Sequence, residues 1–139
     1  MQATIDNELC LAVPMNVRSL ADLRWRTWAY LAAAGVAAGM LDDILIALHE
    51  AVANALAHSG ARQDIAVRVR ATDNRVHVEV EDQDRGIDAT VAIPPEPPAL
   101  SAEGGRGLFM IWSLMSSVRF GRSSGMHLIM VKELFPARP

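Results

Sequence analysis

The chain has 139 residues, enough for one domain with a real hydrophobic core and too few for two independent ones. Lys and Arg total 13 against 16 Asp and Glu, a formal charge of −3, so no overall positive field favours nucleic acid or a membrane, and proteins or small molecules are the expected partners. Cys10, the single cysteine, excludes an internal disulfide, and Met1 to Glu8 lacks the basic start and apolar block of a signal peptide, so a cytoplasmic product is expected.

Leu9, Leu11 and Val13 alternate with Cys10 and Ala12 before Pro14, the pattern of a strand that a proline ends. A helix follows, with Asn16 as its cap and Leu20, Leu23, Trp28 and Leu31 roughly on one face up to Ala34, before Gly35. The apolar run from Trp28 to Leu41 falls short of the ~20 residues that cross a bilayer and holds two glycines, so a buried helix and a turn explain it. A second helix reads from Asp42 and Asp43, which suit its positive N-terminal end, through the apolar stripe Leu41, Ile44, Leu45, Leu48, Val52 and Ala55 to Gly60.

Ile65, Val67 and Val69, then Val76, Val78 and Val80, each alternate with polar residues or alanine around Thr72 to Arg75, a β-hairpin. Four prolines between Ile93 and Ala102 forbid regular helix or central strand and predict a long surface loop. After Gly107, Leu108 to Met115 is apolar nearly all round, as in a buried helix, and Val118 to Phe120 with His127 to Val131 make a closing strand pair. Strand hairpins interleaved with helices give the expected fold: a two-layer α/β sandwich, its sheet mixed and mostly antiparallel, with helices on one face. Residues 1–139 read as a single domain.

On the second helix Asp43, Ala47, Glu50, Asn54 and His58 recur at steps of three and four, so they share one face, away from the apolar stripe. A carboxamide oxygen is a hard magnesium ligand, and a carboxylate one turn away can orient a metal-bound water or accept a hydroxyl proton. By spacing alone, an ordinary exposed polar face is the favoured reading of the stripe. His49-Glu50 begins like the zinc-protease pattern H-E-x-x-H, but Ala53 stands where the second histidine must be, and the likeness of His49-Glu50 to a phospho-acceptor histidine lacks its dimerising helical hairpin. Glu81-Asp82-Gln83-Asp84-Arg85-Gly86 joins an acid to a glycine turn at a strand end, either plain turn chemistry or a carboxylate placed to accept from an exocyclic amine. Gly104-Gly105-Arg106-Gly107 opens a helix, where glycines and unpaired N–H groups suit phosphates or simply allow a turn.

In this order, Glu50 to Gly60, Asp82 to Gly86, and Gly104 to Phe109 resemble the three boxes of the GHKL ATPases, and most of all the compact bacterial anti-sigma-factor serine kinases. The resemblance runs from the first strand to Lys132. It implies a Bergerat ATP-binding fold with a lid at about 93–105, Mg2+ on Asn54, and Glu50 as the base that activates a protein serine. It further implies that Asp82 reads the adenine amine, that Gly86 shapes its pocket, and that Gly104, Gly105, Arg106, Gly107 and Leu108 hold the phosphates. The implied cofactors are ATP and Mg2+; the implied partners are a sigma factor, a STAS-domain antagonist and a second copy of the chain, with neither nucleic acid nor membrane. Two positions depart from the pattern: Asp84 replaces the middle glycine of D-x-G-x-G, and Met126 stands where the last strand usually has threonine. A non-catalytic binding module on the same fold is therefore the alternative, and a catalytic domain cut from a longer sensor kinase a third reading.

Overall fold

The computed structural model describes residues 2–5, 8–14, 16, 18–58, 64–82, 105–122 and 126–134. Among them, strands β1 (Gln2–Ile5), β2 (Glu8–Val13), β3 (Ile65–Ala71), β4 (Arg75–Asp82), β5 (Ser117–Arg122) and β6 (Met126–Glu133) form one sheet in the order β1-β2-β3-β4-β6-β5. Every described pairing is antiparallel. Helices α1 (Arg18–Ala33), α2 (Ala38–His58) and α3 (Gly105–Leu114) pack on one face, with α2 between the other two. This is the expected two-layer α/β architecture.

Residue alternation builds the interface between the layers. The register aligns Leu9, Val69, Val78, Met130 and Val118 in one row across five strands, and Leu11, Val67, Val80, Leu128 and Phe120 in the next. All but the half-buried Phe120 are buried, against Leu20, Leu23 and Leu31 of α1, Ile44, Leu48 and Val52 of α2, and Ile111 of α3. At about 1.5–3 kcal/mol for each fully buried aliphatic side chain, these two rows and the helix residues over them hold the layers together. The opposite face of the sheet is polar: Glu8, Arg68, Arg70, His77 and Glu79 line a shallow open depression, and Arg68 pairs with Glu79 across the strands. Burial, and then the Glu8 carboxylate beside it, push the Cys10 thiol above its ordinary range.

The ends of α1 are set by local chemistry. Asn16 caps it as expected, its Oδ1 accepting from the Ser19 N–H at 3.1 Å. At the other end Gly35 takes φ +87°, the Val36 N–H reaches the Leu31 carbonyl at 3.1 Å, and the Gly35 N–H reaches the Ala32 carbonyl at 3.0 Å. These two bonds are a Schellman motif, whose left-handed residue is best served by glycine.

Three boundaries differ from the sequence reading. Strand β1 was not anticipated: four residues are too few to show a period, and β1 pairs with β2 at the edge of the sheet. Helix α2 begins at Ala38, so Asp42 and Asp43 stand in its second turn, because the alanines before them continue a helix without needing a polar cap. Helix α3 begins at Gly105 and is not buried all round: Ile111 is buried, whereas Met110 and Ser113 are exposed. Gly60, Asp84, Gly86, the proline-rich segment and Gly104 lie outside the described residues.

Candidate functional site

The polar stripe of α2 is not a solvent face. Ala47, at its centre, is fully buried, and Glu50 and Asn54 are half-buried. What covers the stripe is the first turn of α3. A Cβ built on Gly107 would stand 3.1 Å from Glu50 Oε1 and 3.7 Å from both amide atoms of Asn54. Glycine at 107 thus lets the backbone of α3 come down onto the carboxylate and carboxamide together, and a side chain there would crowd Glu50 Oε1, which would have to give by a few tenths of an ångström. The small side chain of Ala47, one turn before Glu50 on the stripe, is buried and leaves room for this helix.

The far end of the same helix pair is pinned by a residue that sequence reasoning passed over. Lys132 of β6, with its side chain 15% exposed, reaches Asp43 Oδ2 at 3.0 Å and donates to the Leu114 carbonyl at 2.5 Å. One ammonium thus meets a carboxylate near the start of α2 and a carbonyl at the C-terminal end of α3, where the helix dipole favours a cation. Asp43 and Glu50 are seven residues apart, as are Leu114 and Gly107. The two helices therefore run antiparallel with matched spacing, clamped at one end by Lys132 and in glycine contact two turns away. A signal for the clamp did exist. Lys132 shares the inward parity of Leu128 and Met130, and a lysine on an apolar strand face needs a partner.

Among the described residues the side chains of Glu50 and Asn54 make no hydrogen bond or ion pair, while their backbone groups belong to the helix. The N–H groups of Gly105, Arg106 and Gly107 belong to the first turn of α3, where no intrahelical acceptor exists for them. The junction therefore combines oxygen donors with an anion-seeking helix end, a set that suits magnesium and phosphates together. Among the described residues no group of three or more His, Cys, Asp and Glu side chains gathers as a metal site. Magnesium, which is commonly held by one or two protein oxygens plus substrate phosphates, does not require such a group. Asp82 is the last residue of β4, with Met126 of β6 directly opposite it in the ladder. Leu108 is half-buried against the core. Glu50, Asn54 and Gly107 are thus brought together; Gly86 and Gly104 lie outside the described residues.

Residues 13–132 match the histidine kinase-like ATPase domain family. The chain belongs to that family. Within it, this domain is 26% identical over 140 residues to serine-protein kinase RsbW of Listeria monocytogenes serotype 4a (strain HCC23), with 94% of this chain and 89% of that protein covered. It is 27% identical over 143 residues to serine-protein kinase RsbW of Staphylococcus epidermidis, with 95% and 89% covered. Among solved structures, that of the RsbU and RsbW domains of Rv1364c from Mycobacterium tuberculosis matches with a TM-score of 0.70 at 23% identity, a likeness of fold that covers 94% of this chain and 34% of that one. No helix among the described residues is long and apolar enough to cross a membrane.

Proposed function

We propose that the protein is an anti-sigma factor with ATP-dependent protein serine kinase activity, which phosphorylates a STAS-type antagonist in a partner-switching system. The observation that carries the proposal is the seating of Gly107 on Glu50 and Asn54, which joins the acid, the amide and a helix N-terminus at one place. The relatives named serine-protein kinase RsbW, covered over most of their length, support the reaction class.

In this reading Asn54 holds Mg2+ through its amide oxygen, and the first turn of α3, Gly105 to Leu108 with Gly104 before it, faces the phosphates. Bound Mg-ATP supplies the phosphoryl group and an electrophilic phosphorus. Glu50 accepts the proton of the incoming serine hydroxyl, and its half-buried position beside α3 keeps the carboxylate aimed at one place. Asp82 accepts from the adenine amine, with Gly86 shaping that pocket and residues 93–105 as the lid. The chain works as a single cytoplasmic domain that pairs with a second copy and binds a sigma factor.

A test is phosphoryl transfer from labelled ATP to the cognate STAS-domain protein. Transfer is expected with the wild-type chain, and Glu50→Gln should lower it by roughly 10²–10⁴-fold while leaving antagonist binding intact. Unchanged transfer by Glu50→Gln would remove the base from the scheme. One observation favours a second reading: Met126, which has no hydroxyl to offer, lies opposite Asp82 in the ladder. A regulatory binding module with little nucleotide dependence would bind its partners equally well with and without Mg-ATP.

A further inference from the structure

Helix α1 presents outward what a surface helix normally hides. Leu20, Leu23 and Leu31 face the core, and on the other side Trp25 and Trp28 are 64% and 44% exposed. Their rings stack with centroids 5.5 Å apart and planes 12° from parallel. The stack fixes both indoles in one orientation and leaves a rigid apolar step in water.

The surroundings of the pair have a regular plan. Arg18, Ala21, Trp25, Trp28 and Ala32 succeed one another at steps of three, four, three and four, and all five are exposed. That is the spacing of a helix–helix seam, here with two large knobs at the centre and an alanine hollow on either side. Arg24 lies next to Trp25 in sequence and one turn before Trp28, also exposed. Among the described residues Arg18 and Arg24 have no ion-pair partner. On the other flank Arg26 is already paired with Asp22 at 2.9 Å. The seam is therefore apolar along its length, with unneutralised guanidinium groups at one end and along one flank.

We propose that this face docks an amphipathic helix of a protein partner, with apolar side chains at three- and four-residue spacing over Trp25 and Trp28, and with Asp or Glu along the flank that meets Arg18 and Arg24. Trp and Arg are the residue types in which binding energy concentrates at interfaces, and an acidic flank is the complement of these two cations. A second copy of the chain lacks that complement. In an antiparallel pair of such helices Arg24 faces its own copy, and in a parallel pair it faces Ala29, so neither arrangement neutralises it. No residue of the α2–α3 junction enters the proposal, which stands or falls apart from the nucleotide reading.

The test uses the full chain and two labelled synthetic peptides about three heptads long, with leucine at the seam positions and either glutamate or lysine at the flanking ones. Fluorescence anisotropy should show the glutamate peptide binding at least about tenfold tighter than the lysine peptide. Trp25→Ser with Trp28→Ser should weaken it by a further tenfold or more, on the order of a hot-spot loss. Arg24→Glu, which alters one exposed side chain and no packing, should reverse the preference between the peptides. Equal binding of both peptides, or of neither, would overturn the proposal. So would a dimer, seen by light scattering, that Trp25→Ser breaks, or a tryptophan blue shift given by anionic phosphatidylserine vesicles and not by the glutamate peptide.

Discussion

Helices α1 and α2 share one layer over one sheet and use their surfaces in opposite ways. Helix α2 turns a carboxylate and a carboxamide inward, under the first turn of α3, whereas α1 turns two tryptophans outward and buries the hydroxyl of Thr27, whose Oγ1 has no hydrogen-bond partner among the described residues. Neither arrangement helps the fold. A half-buried carboxylate without a partner and an unpaired buried hydroxyl both cost stability, and exposed indoles forgo burial. Local conflicts of this kind concentrate where a protein binds or reacts. In the proposed reading the two helices serve two different tasks: chemistry at the α2–α3 junction and recognition on the outer face of α1.

The comparison can be broken at several points. The largest effect is expected from Gly107→Ala. Alanine is the better helix former by about 1 kcal/mol, so thermal stability should hold or rise. Its Cβ, however, needs the space 3.1 Å from Glu50 Oε1, and displacing that carboxylate should lower phosphoryl transfer roughly ten- to hundredfold. Loss of stability with full activity would mean that the glycine serves packing alone. Next, Lys132→Met leaves Asp43 and the Leu114 carbonyl without their shared donor; urea titration should show a cost of about 1–2 kcal/mol, with the solvent exposure of Asp43 limiting it. The smallest effect belongs to α1: Thr27→Val keeps the shape, removes the unpaired hydroxyl and should stabilise the chain by about 1 kcal/mol. Destabilisation by Thr27→Val would show that the hydroxyl has a structural use and would weaken the contrast between the helices.

The layers, the strand alternation and the cap of α1 were legible because each rests on local periodicity or on one residue's chemistry, as with Val76, Val78 and Val80 or Asn16. The stripe from Asp43 to His58 was legible as a stripe, but spacing cannot distinguish a face in water from a face under another helix. Only the position of Gly107, more than fifty residues away in sequence, decides that. The start of α3 at Gly105 went unread for a related reason: glycine is a poor helix former, and a tertiary contact overrides its propensity here. The Lys132 clamp joins residues 89 apart and so leaves no local pattern beyond an inward-facing lysine. Trp28, expected on one face with Leu20, Leu23 and Leu31, is instead exposed and stacked on Trp25: steps of three and four from Leu20 run through Leu23, Thr27 and Leu31, so Thr27 takes the core position.

The central claim is that Glu50, Asn54 and the first turn of α3 form a magnesium-nucleotide site. Calorimetric titration of the chain with ATP, with and without Mg2+, on the wild type and on Asn54→Ala, tests it most directly. Micromolar binding is expected that depends on Mg2+ and that Asn54→Ala weakens at least about tenfold with the fold intact. Binding that is absent in the wild type, or that Asn54→Ala leaves unchanged, would contradict it.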